Sequence, residues 1–302
     1  MNYRLLQQLT FFLLLILSGV ANSDSDMEGL SISADLGWQN DDNVTTAATD
    51  NSSGASDDSL VFNLGVSKSI DLDDSELEVS YDYSRTDYDS LTAFDLESNS
   101  VSASWSKEVK SVNLLGLYMY SSTRLGGSDF LDLQNVYLSA GKLIEGTKWY
   151  LNPALNYQNK DFATANTNDA DQYAFDLMSL YLGGENKIKL SYRYEYEDTV
   201  SSELDYRANI FSASYKTNIS LGETKANFEI SHKFTDKNFI NETAAISADR
   251  KDEKNLTDIK LSYPLDENMS LDFAYSYLDA NSNLSTSSYS QNIYGLSIAY
   301  KM

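Results

Sequence analysis

Short segments in which apolar and polar residues alternate recur along almost the whole chain. Residues 30–38 carry Leu, Ile, Ala, Leu and Trp at every second position, with Ser, Ser, Asp and Gly between them, and residues 294–302 repeat the pattern. Successive side chains of a β-strand point to opposite faces, so a period of two residues is typical of strands. Helical periodicity is hard to find. The pattern therefore predicts an all-β protein.

Fourteen segments show this alternation. They are residues 30–38, 60–66, 77–83, 101–105, 112–121, 136–140, 149–157, 173–182, 188–196, 211–215, 226–234, 259–263, 269–277 and 294–302. The fifth and eighth segments are apolar on both faces, so their facing stays open. If Leu115, Leu117, Leu180 or Leu182 point inward, they favour a plug or another segment bound inside the fold.

The connections are expected to alternate in length. Those after odd-numbered strands are predicted to be long and polar, at about 41–58, 86–97, 122–133, 159–171, 198–207, 235–255 and 279–289. Those after even-numbered strands are predicted to be short, at about 70–75, 107–111, 143–147, 184–187, 217–225 and 265–268. Long and short connections alternate in this way in outer-membrane barrels, which have short turns on one side and longer loops on the other.

The composition excludes several classes of protein. The formal net charge is −23 and the chain holds no Cys and one His. No basic stripe is present to neutralise phosphates, which argues against a nucleic-acid partner. Without Cys there are neither disulfides nor thiolate metal sites. The acidic connections lack the Asp-x-Asp-x-Asp-Gly spacing of a calcium loop, so no metal and no cofactor are predicted.

The N-terminus has the three parts of a signal peptide. Arg4 gives a positive start, residues 9–17 form a short apolar run, and residues 19–23 supply small residues for cleavage after Ala21 or Ser23. The apolar run is shorter than the ~20 residues of a membrane-spanning helix. We therefore expect a signal peptide at 1–23 and one domain at 24–302, with an uncleaved anchor as the alternative.

Aromatic residues fall near both ends of the predicted strands. If the first strand runs outward, this assignment produces two girdles on the apolar face, of the kind that mark both surfaces of a membrane. A soluble β-sandwich, the alternative, does not require them. The predicted girdle residues are Tyr81, Tyr83, Trp105, Trp149, Tyr194, Tyr196, Tyr215, Tyr263, Tyr275, Tyr277 and Tyr300.

With these features, residues 24–302 resemble a Gram-negative outer-membrane β-barrel, and in size and strand number the monomeric 14-stranded porins of the outer-membrane protein G type. The resemblance implies an up-and-down antiparallel barrel in the outer membrane, surrounded by lipids and lipopolysaccharide and inserted by the barrel-assembly machinery. The last strand resembles the signal that this machinery reads. Met302 departs from the usual final Phe, and the signal residues are Tyr294, Leu296, Ile298, Tyr300 and Met302.

The face opposite the apolar one is expected to line an aqueous lumen, because it is mostly Ser, Gly, Ala and Asn. Acids on the first and third strands and bases on the ninth to twelfth predict a transverse field; salt bridges across the lumen are the alternative. The charged lumen candidates are Asp35, Glu78, Asp82, Lys189, Arg193, Glu195, Lys216, Glu229, Lys233, Asp258, Lys260, Asp272 and Lys301.

A porin for small hydrophilic solutes is the function that these features predict, with a mild cation preference because most of the excess acid lies in the connections. Two alternatives stay open: an export or assembly barrel for a polymer or surface protein, and an adhesion or structural barrel acting through its acidic loops. An enzyme is not expected, and no catalytic residue is predicted. His232 faces the apolar side, and Ser231 lies on the opposite face.

Overall fold

A computed structural model describes residues 29–46, 48 and 51–302. The predicted signal peptide at 1–23 lies outside these residues. Fourteen antiparallel strands form one closed barrel in which each strand pairs with its sequence neighbours, and the first pairs with the last. The strands are β1 Leu30–Asp41, β2 Asp57–Leu72, β3 Ser75–Tyr88, β4 Leu96–Val109, β5 Val112–Leu125, β6 Ser128–Leu143, β7 Trp149–Phe162, β8 Ala170–Gly183, β9 Asn186–Thr199, β10 Tyr206–Leu221, β11 Thr224–Thr243, β12 Ala248–Pro264, β13 Met269–Ser282 and β14 Tyr289–Lys301.

The predicted fold is confirmed, and the β-sandwich alternative is wrong because one sheet closes on itself. Its outer face carries a continuous belt of large apolar side chains. Leu138 and Leu155 are register partners on this face and are 55% and 62% exposed. Soluble proteins rarely expose apolar patches of such extent.

Side-chain contacts that skip a strand identify the concave face of the sheet. Lys160 Nζ on β7 lies 2.6 Å from Glu197 Oε2 on β9, and Arg193 on β9 donates to Asn156 Oδ1 on β7 at 3.0 Å. Both contacts pass over β8. They form on the side toward which the wall curves, so this polar face is the interior of the barrel.

A regular repeat underlies the barrel wall. Strands β3, β5, β7 and β9 begin at residues 75, 112, 149 and 186, a spacing of 37 residues each time. Residues 37 positions apart therefore lie at equivalent heights on alternate strands. We call the end of the barrel at which these odd strands begin the turn rim, and the opposite end the loop rim.

The turn rim agrees with the sequence prediction. Its connections are 73–74, 110–111, 144–148, 184–185, 222–223 and 265–268. The long connections predicted at the loop rim are mostly wrong. Only 42–56 is long, and the others shrink to 89–95, 126–127, 163–169, 200–205, 244–247 and 283–288 because the strands continue through the predicted loops.

Four loop-rim connections share one closing device. Each contains a three-residue 3₁₀ helix, at Thr92–Phe94, Asn166–Asn168, Ser202–Leu204 and Ser285–Ser287. The side chain of the residue after each helix accepts a hydrogen bond from the backbone N–H of the last residue of the preceding strand. The acceptors are Asp95, Asp169, Asp205 and Ser288, at 2.7–2.9 Å. These bonds satisfy strand-end donors that lack a ladder partner.

Outward tyrosines form a second repeated contact. Five tyrosines on odd strands donate a hydrogen bond to a polar side chain of the next strand, two residues from their register partner toward the loop rim. The pairs are Tyr81–Asn99, Tyr118–Gln134, Tyr157–Asp171, Tyr192–Asn209 and Tyr275–Asn292. Beyond this level the outer face turns polar, as at Arg85, which lies 3.4 Å from Glu97.

No helix among the described residues has the length and apolar character needed to cross a membrane.

Candidate pore interior

The strand registers fix which side chains share the inner face. The twelve charged lumen candidates other than Lys301 all fall on it, and Lys301 pairs with Ser33 on the same face. The predicted girdle residues all fall on the outer face. That these two sets line a solute path and mark the membrane surfaces stays a prediction.

Residues at the same position of successive 37-residue repeats differ in chemical type, so the character of the inner wall changes from β3 to β9. The fourth residues of β3, β5, β7 and β9 are Glu78, Leu115, Asn152 and Lys189. At this height the inner residue is an acid on β3, an apolar residue on β5, an amide on β7 and a base on β9. The level four residues higher repeats the order, with Asp82, Met119, Asn156 and Arg193.

Ion pairs on the inner face join strands of the same wall. Arg193 is the most connected cation: its guanidinium lies 2.8 Å from Glu195 and 3.2 Å from Asp176, and it also donates to Asn156 and Gln172. Lys260 and Asp272 pair at 2.7 Å, and Lys216 and Glu229 lie at 3.8 Å. The predicted alternative of bridges across the lumen is therefore wrong for these pairs, because each lies within β9 or links neighbouring strands, β8–β9, β10–β11 or β12–β13.

Other inner charges have no ionic partner in the part of the chain that the structure describes. Glu78 accepts a hydrogen bond from Ser69, Asp82 from Ser80 and Asp35 from Asn63. On the opposite wall the exposed Lys189 and Lys233 form no ion pair within the described residues. Unpaired acids of β1 and β3 thus stand apart from unpaired lysines of β9 and β11.

Serine hydroxyls cover the wall between the acids and the apolar positions. Ser80 lies 2.8 Å from Ser102, and Ser121 lies 2.9 Å from Ser100 and 3.1 Å from Ser98. Each hydroxyl can both donate and accept, so the wall stays wettable while its own polar atoms are satisfied.

Strands β5 and β8, whose facing the sequence left open, place apolar residues inside. Gly116 of β5 pairs with the outward Trp105, which puts Leu115 and Leu117 on the inner face. Leu180 of β8 pairs with the inward Lys189. The inner wall is therefore mostly hydrophilic on β1–β4 and partly apolar on β5–β8.

The described residues of the connection 42–56, which are 42–46, 48 and 51–56, fold into the mouth of the barrel. Val44 is fully buried, and it closes a hairpin by bonding through its N–H to Ala55 O and through its carbonyl to Ser53 N–H. Ala48 lines a cavity of about 330 Å³ against β3–β6 and another of about 100 Å³ against β7–β12. The hairpin therefore stands between the two walls at the loop rim.

Buried carboxylates anchor both ends of this hairpin. Asp41, 1% exposed, accepts hydrogen bonds from Asn43 N–H at 2.9 Å and from Gln291 Nε2 at 2.8 Å. Asp57 accepts from the backbone N–H groups of Ser90 and Leu91. Charge-assisted bonds of this kind are stronger than neutral ones, so they restrict the hairpin.

An aromatic and ionic cluster lies on the wall that faces the hairpin, and sequence reasoning missed it. The Tyr206 hydroxyl bonds to Glu195, Glu197 and Gln172 at 2.9–3.1 Å. Lys237 Nζ lies 3.8 Å from the centre of the Tyr206 ring. Neither Gln172 nor Tyr206 has an unusual sequence context, and only the register places them together.

The closing seam and the rim residues complete the site. Met302 exchanges two backbone hydrogen bonds with Ile32, at 2.9 and 3.0 Å.

In the 73–74 turn, a hydrogen bond from Lys107 lowers the pKa of the exposed Asp74. His232 faces outward and forms a hydrogen bond with Thr257 Oγ1 at 3.0 Å. No cluster of three or more His, Asp or Glu in the described part of the chain could hold a metal ion.

Comparison with solved structures shows the fold. An anion-selective porin from Comamonas acidovorans matches with a TM-score of 0.52 and 11% identity over 90% of this chain and 98% of that one. A loop-deletion mutant of OmpT, an outer-membrane protein of Vibrio cholerae, matches with a TM-score of 0.50 and 10% identity over 90% of this chain and 99% of that one. No family model matches, and neither does any curated protein.

Proposed function

We propose that this protein is an outer-membrane porin through which small hydrophilic solutes pass passively. The observation that carries the proposal is a closed 14-strand barrel with an apolar outer belt and a polar, charged interior. About eight strands is the size at which side chains fill a barrel, so this interior has room for water. In a bilayer, closure also satisfies every ladder hydrogen bond.

The outer face supports the membrane assignment. The ring of tyrosine hydroxyls, from Tyr81 to Tyr275, marks the level at which apolar side chains give way to polar ones, as aromatic residues do at a membrane surface. Lipids and lipopolysaccharide would contact the belt. The barrel-assembly machinery would insert the chain, reading the outward residues of β14.

A mild cation preference is the finer part of the proposal. Exposed acids such as Asp42 and Asp89 lie at the loop rim, and Glu78 and Asp82 have no cationic partner among residues 29–46, 48 and 51–302. The unpaired Lys189 and Lys233 on the far wall oppose them, and a transverse field follows. The rim therefore favours cations, while the interior orients dipolar solutes.

The hairpin 42–56 is assigned as the constriction. It occupies the loop-rim mouth between the two walls and is held by Asp41 and Asp57. Passage of a folded polymer through this mouth would require the hairpin to leave, which makes an export barrel the weaker alternative.

Liposome swelling tests the function. Proteoliposomes should admit arabinose and small amino acids and admit trisaccharides much more slowly. Heat-denatured protein in the same liposomes is the control. Equal swelling with folded and denatured protein would refute the porin assignment.

A further inference from the structure

One part of the inner wall, on β5 and β8, carries several large apolar side chains. Leu115, Leu117 and Met119 of β5 and Met178 and Leu180 of β8 all point inward by register and are partly exposed. Serine fills the corresponding inner positions of β4. Large apolar side chains such as these five are not expected on a wall that contacts only water and hydrophilic solutes.

Two tyrosines join the apolar residues of β5 to those of β8. Tyr137 of β6 and Tyr150 of β7 both point inward. Their hydroxyls receive hydrogen bonds from neighbouring amides, Tyr137 from Asn152 at 3.3 Å and Tyr150 from Asn113 at 3.5 Å. Tyr150 lies over Gly141, where any side chain would collide with its ring. With the hydroxyls engaged, the rings extend the apolar surface. We call these seven side chains the apolar wall.

An unpaired lysine stands at the edge of the apolar wall. Lys189 is the direct cross-strand partner of Leu180 and is exposed. Its other inner neighbours are Ser214 across the next strand pair and Lys187 and Ser191 along β9. None of them is an acid, and Lys189 forms no ion pair within the described residues, so its charge is available to a solute.

We propose that the apolar wall and Lys189 together form a binding site for amphipathic organic anions, of which a medium-chain carboxylate is the simplest. The alkyl chain lies on the apolar wall and the carboxylate contacts the Lys189 ammonium. Complete burial of one methylene raises the binding affinity about fourfold. A half-covered chain of several methylenes therefore adds more affinity than the contact with the ammonium does by itself. The inference deepens the proposed function, on which it rests, by naming a solute class.

Planar bilayers containing the folded barrel test the site through block of the KCl current. Sodium octanoate, sodium acetate and octylammonium chloride are added in turn to the turn-rim side. Octanoate should interrupt the current for longer than either acetate, which lacks the chain, or octylammonium, which has the opposite charge. Equal dwell times for octanoate and acetate would overturn the proposal.

Variants assign the effect to the site. The double variant Leu115→Ser/Leu180→Ser should shorten the octanoate dwell time about tenfold. Lys189→Gln should remove the preference for octanoate over octylammonium. Leu256→Ser, an inward leucine of β12, and Lys225→Gln, a lysine paired with Glu185, are the matched controls and should change little. Equal effects of test and control variants would overturn the proposal.

A measurement that needs no current separates this site from the channel function. Radiolabelled octanoate is equilibrated with the barrel in nanodiscs, and binding to empty discs is subtracted. Saturable binding that the double variant weakens supports the site even if the barrel passes no KCl, a result that would refute the porin assignment alone. Binding that is absent, or unchanged in the double variant, overturns the site.

Discussion

Glu78 and Lys189 are the fourth residues of β3 and β9 and face the same lumen from opposite parts of the wall, each without an ionic partner among the described residues. They are separated by three hairpin repeats of the same length. The constant repeat length therefore places the two residues at the same height in the barrel, and the difference in residue type gives them opposite charges. These two opposite charges are sufficient to produce an electric field across the lumen at this height.

Removing the unpaired lysines should increase cation selectivity. The double variant Lys189→Gln/Lys233→Gln leaves Glu78 and Asp82 without opposing charge, so the reversal potential in a KCl gradient should move toward the potassium potential. Lys225→Gln is the control, since that lysine is paired at the turn rim. An unchanged reversal potential would show that these lysines do not face the ion path.

Deleting the tip of the hairpin should enlarge the pore. Loss of residues 45–54, with a two-glycine closure, leaves the Asp41 and Asp57 anchors in place. Single-channel conductance should rise, because Ala48 of the hairpin contacts cavities on both walls at the loop rim. The same conductance before and after deletion would place the constriction elsewhere.

Tyr206→Phe should destabilise the folded barrel. The lost hydroxyl leaves Glu195, Glu197 and Gln172 short of a partner in a buried setting, which costs about 1–3 kcal/mol. Urea unfolding in detergent micelles measures the change. Tyr81→Phe, which removes one exposed hydroxyl bond to Asn99, is the control and should cost less. A larger loss for the control would contradict the assigned role of the cluster.

Gly141→Ala should perturb the lumen more than Gly116→Ala. A methyl group at Gly141 collides with the Tyr150 ring, whereas one at Gly116 makes only ordinary contact with Leu138. Tyr150 must then swing away from the wall, which changes conductance without necessarily preventing folding. Equal conductance in the two variants would show that Tyr150 does not border the ion path.

Met302→Phe should leave barrel assembly unchanged or improve it. The Met302 backbone bonds to Ile32 do not depend on the side chain, and Phe is the usual final residue of the assembly signal. The amount of heat-modifiable, folded barrel in outer-membrane fractions measures this. A large loss of folded barrel would contradict the reading of β14 as an assembly signal.

The sequence predicted the strands but not their ends. Alternation is strong where one face meets lipid and the other water. Above the tyrosine ring both faces meet water, so β5 carries Ser122, Thr123 and Arg124 with no period of two. Residues 122–133 were therefore predicted as a loop, whereas the structure has continuous strands joined at Gly126–Gly127.

The site was predictable only in part. The inward facing of charges such as Glu78 and Lys189 follows from the alternation within each strand, because that pattern can be recognised without knowing the neighbouring strand. The facing of Leu115 and Leu180 does not, because both faces of their strands are apolar and the neighbouring registers decide it. The inward fold of the hairpin depends on Asp41 meeting Gln291, 250 positions away, and no local pattern contains that contact.

Single-channel recording of the purified, folded barrel in planar bilayers decides whether its interior conducts ions. We expect discrete conductance steps in KCl with a reversal potential that favours potassium. Folded barrel that inserts into the bilayer and gives no current at any voltage, including after deletion of residues 45–54, would contradict this expectation.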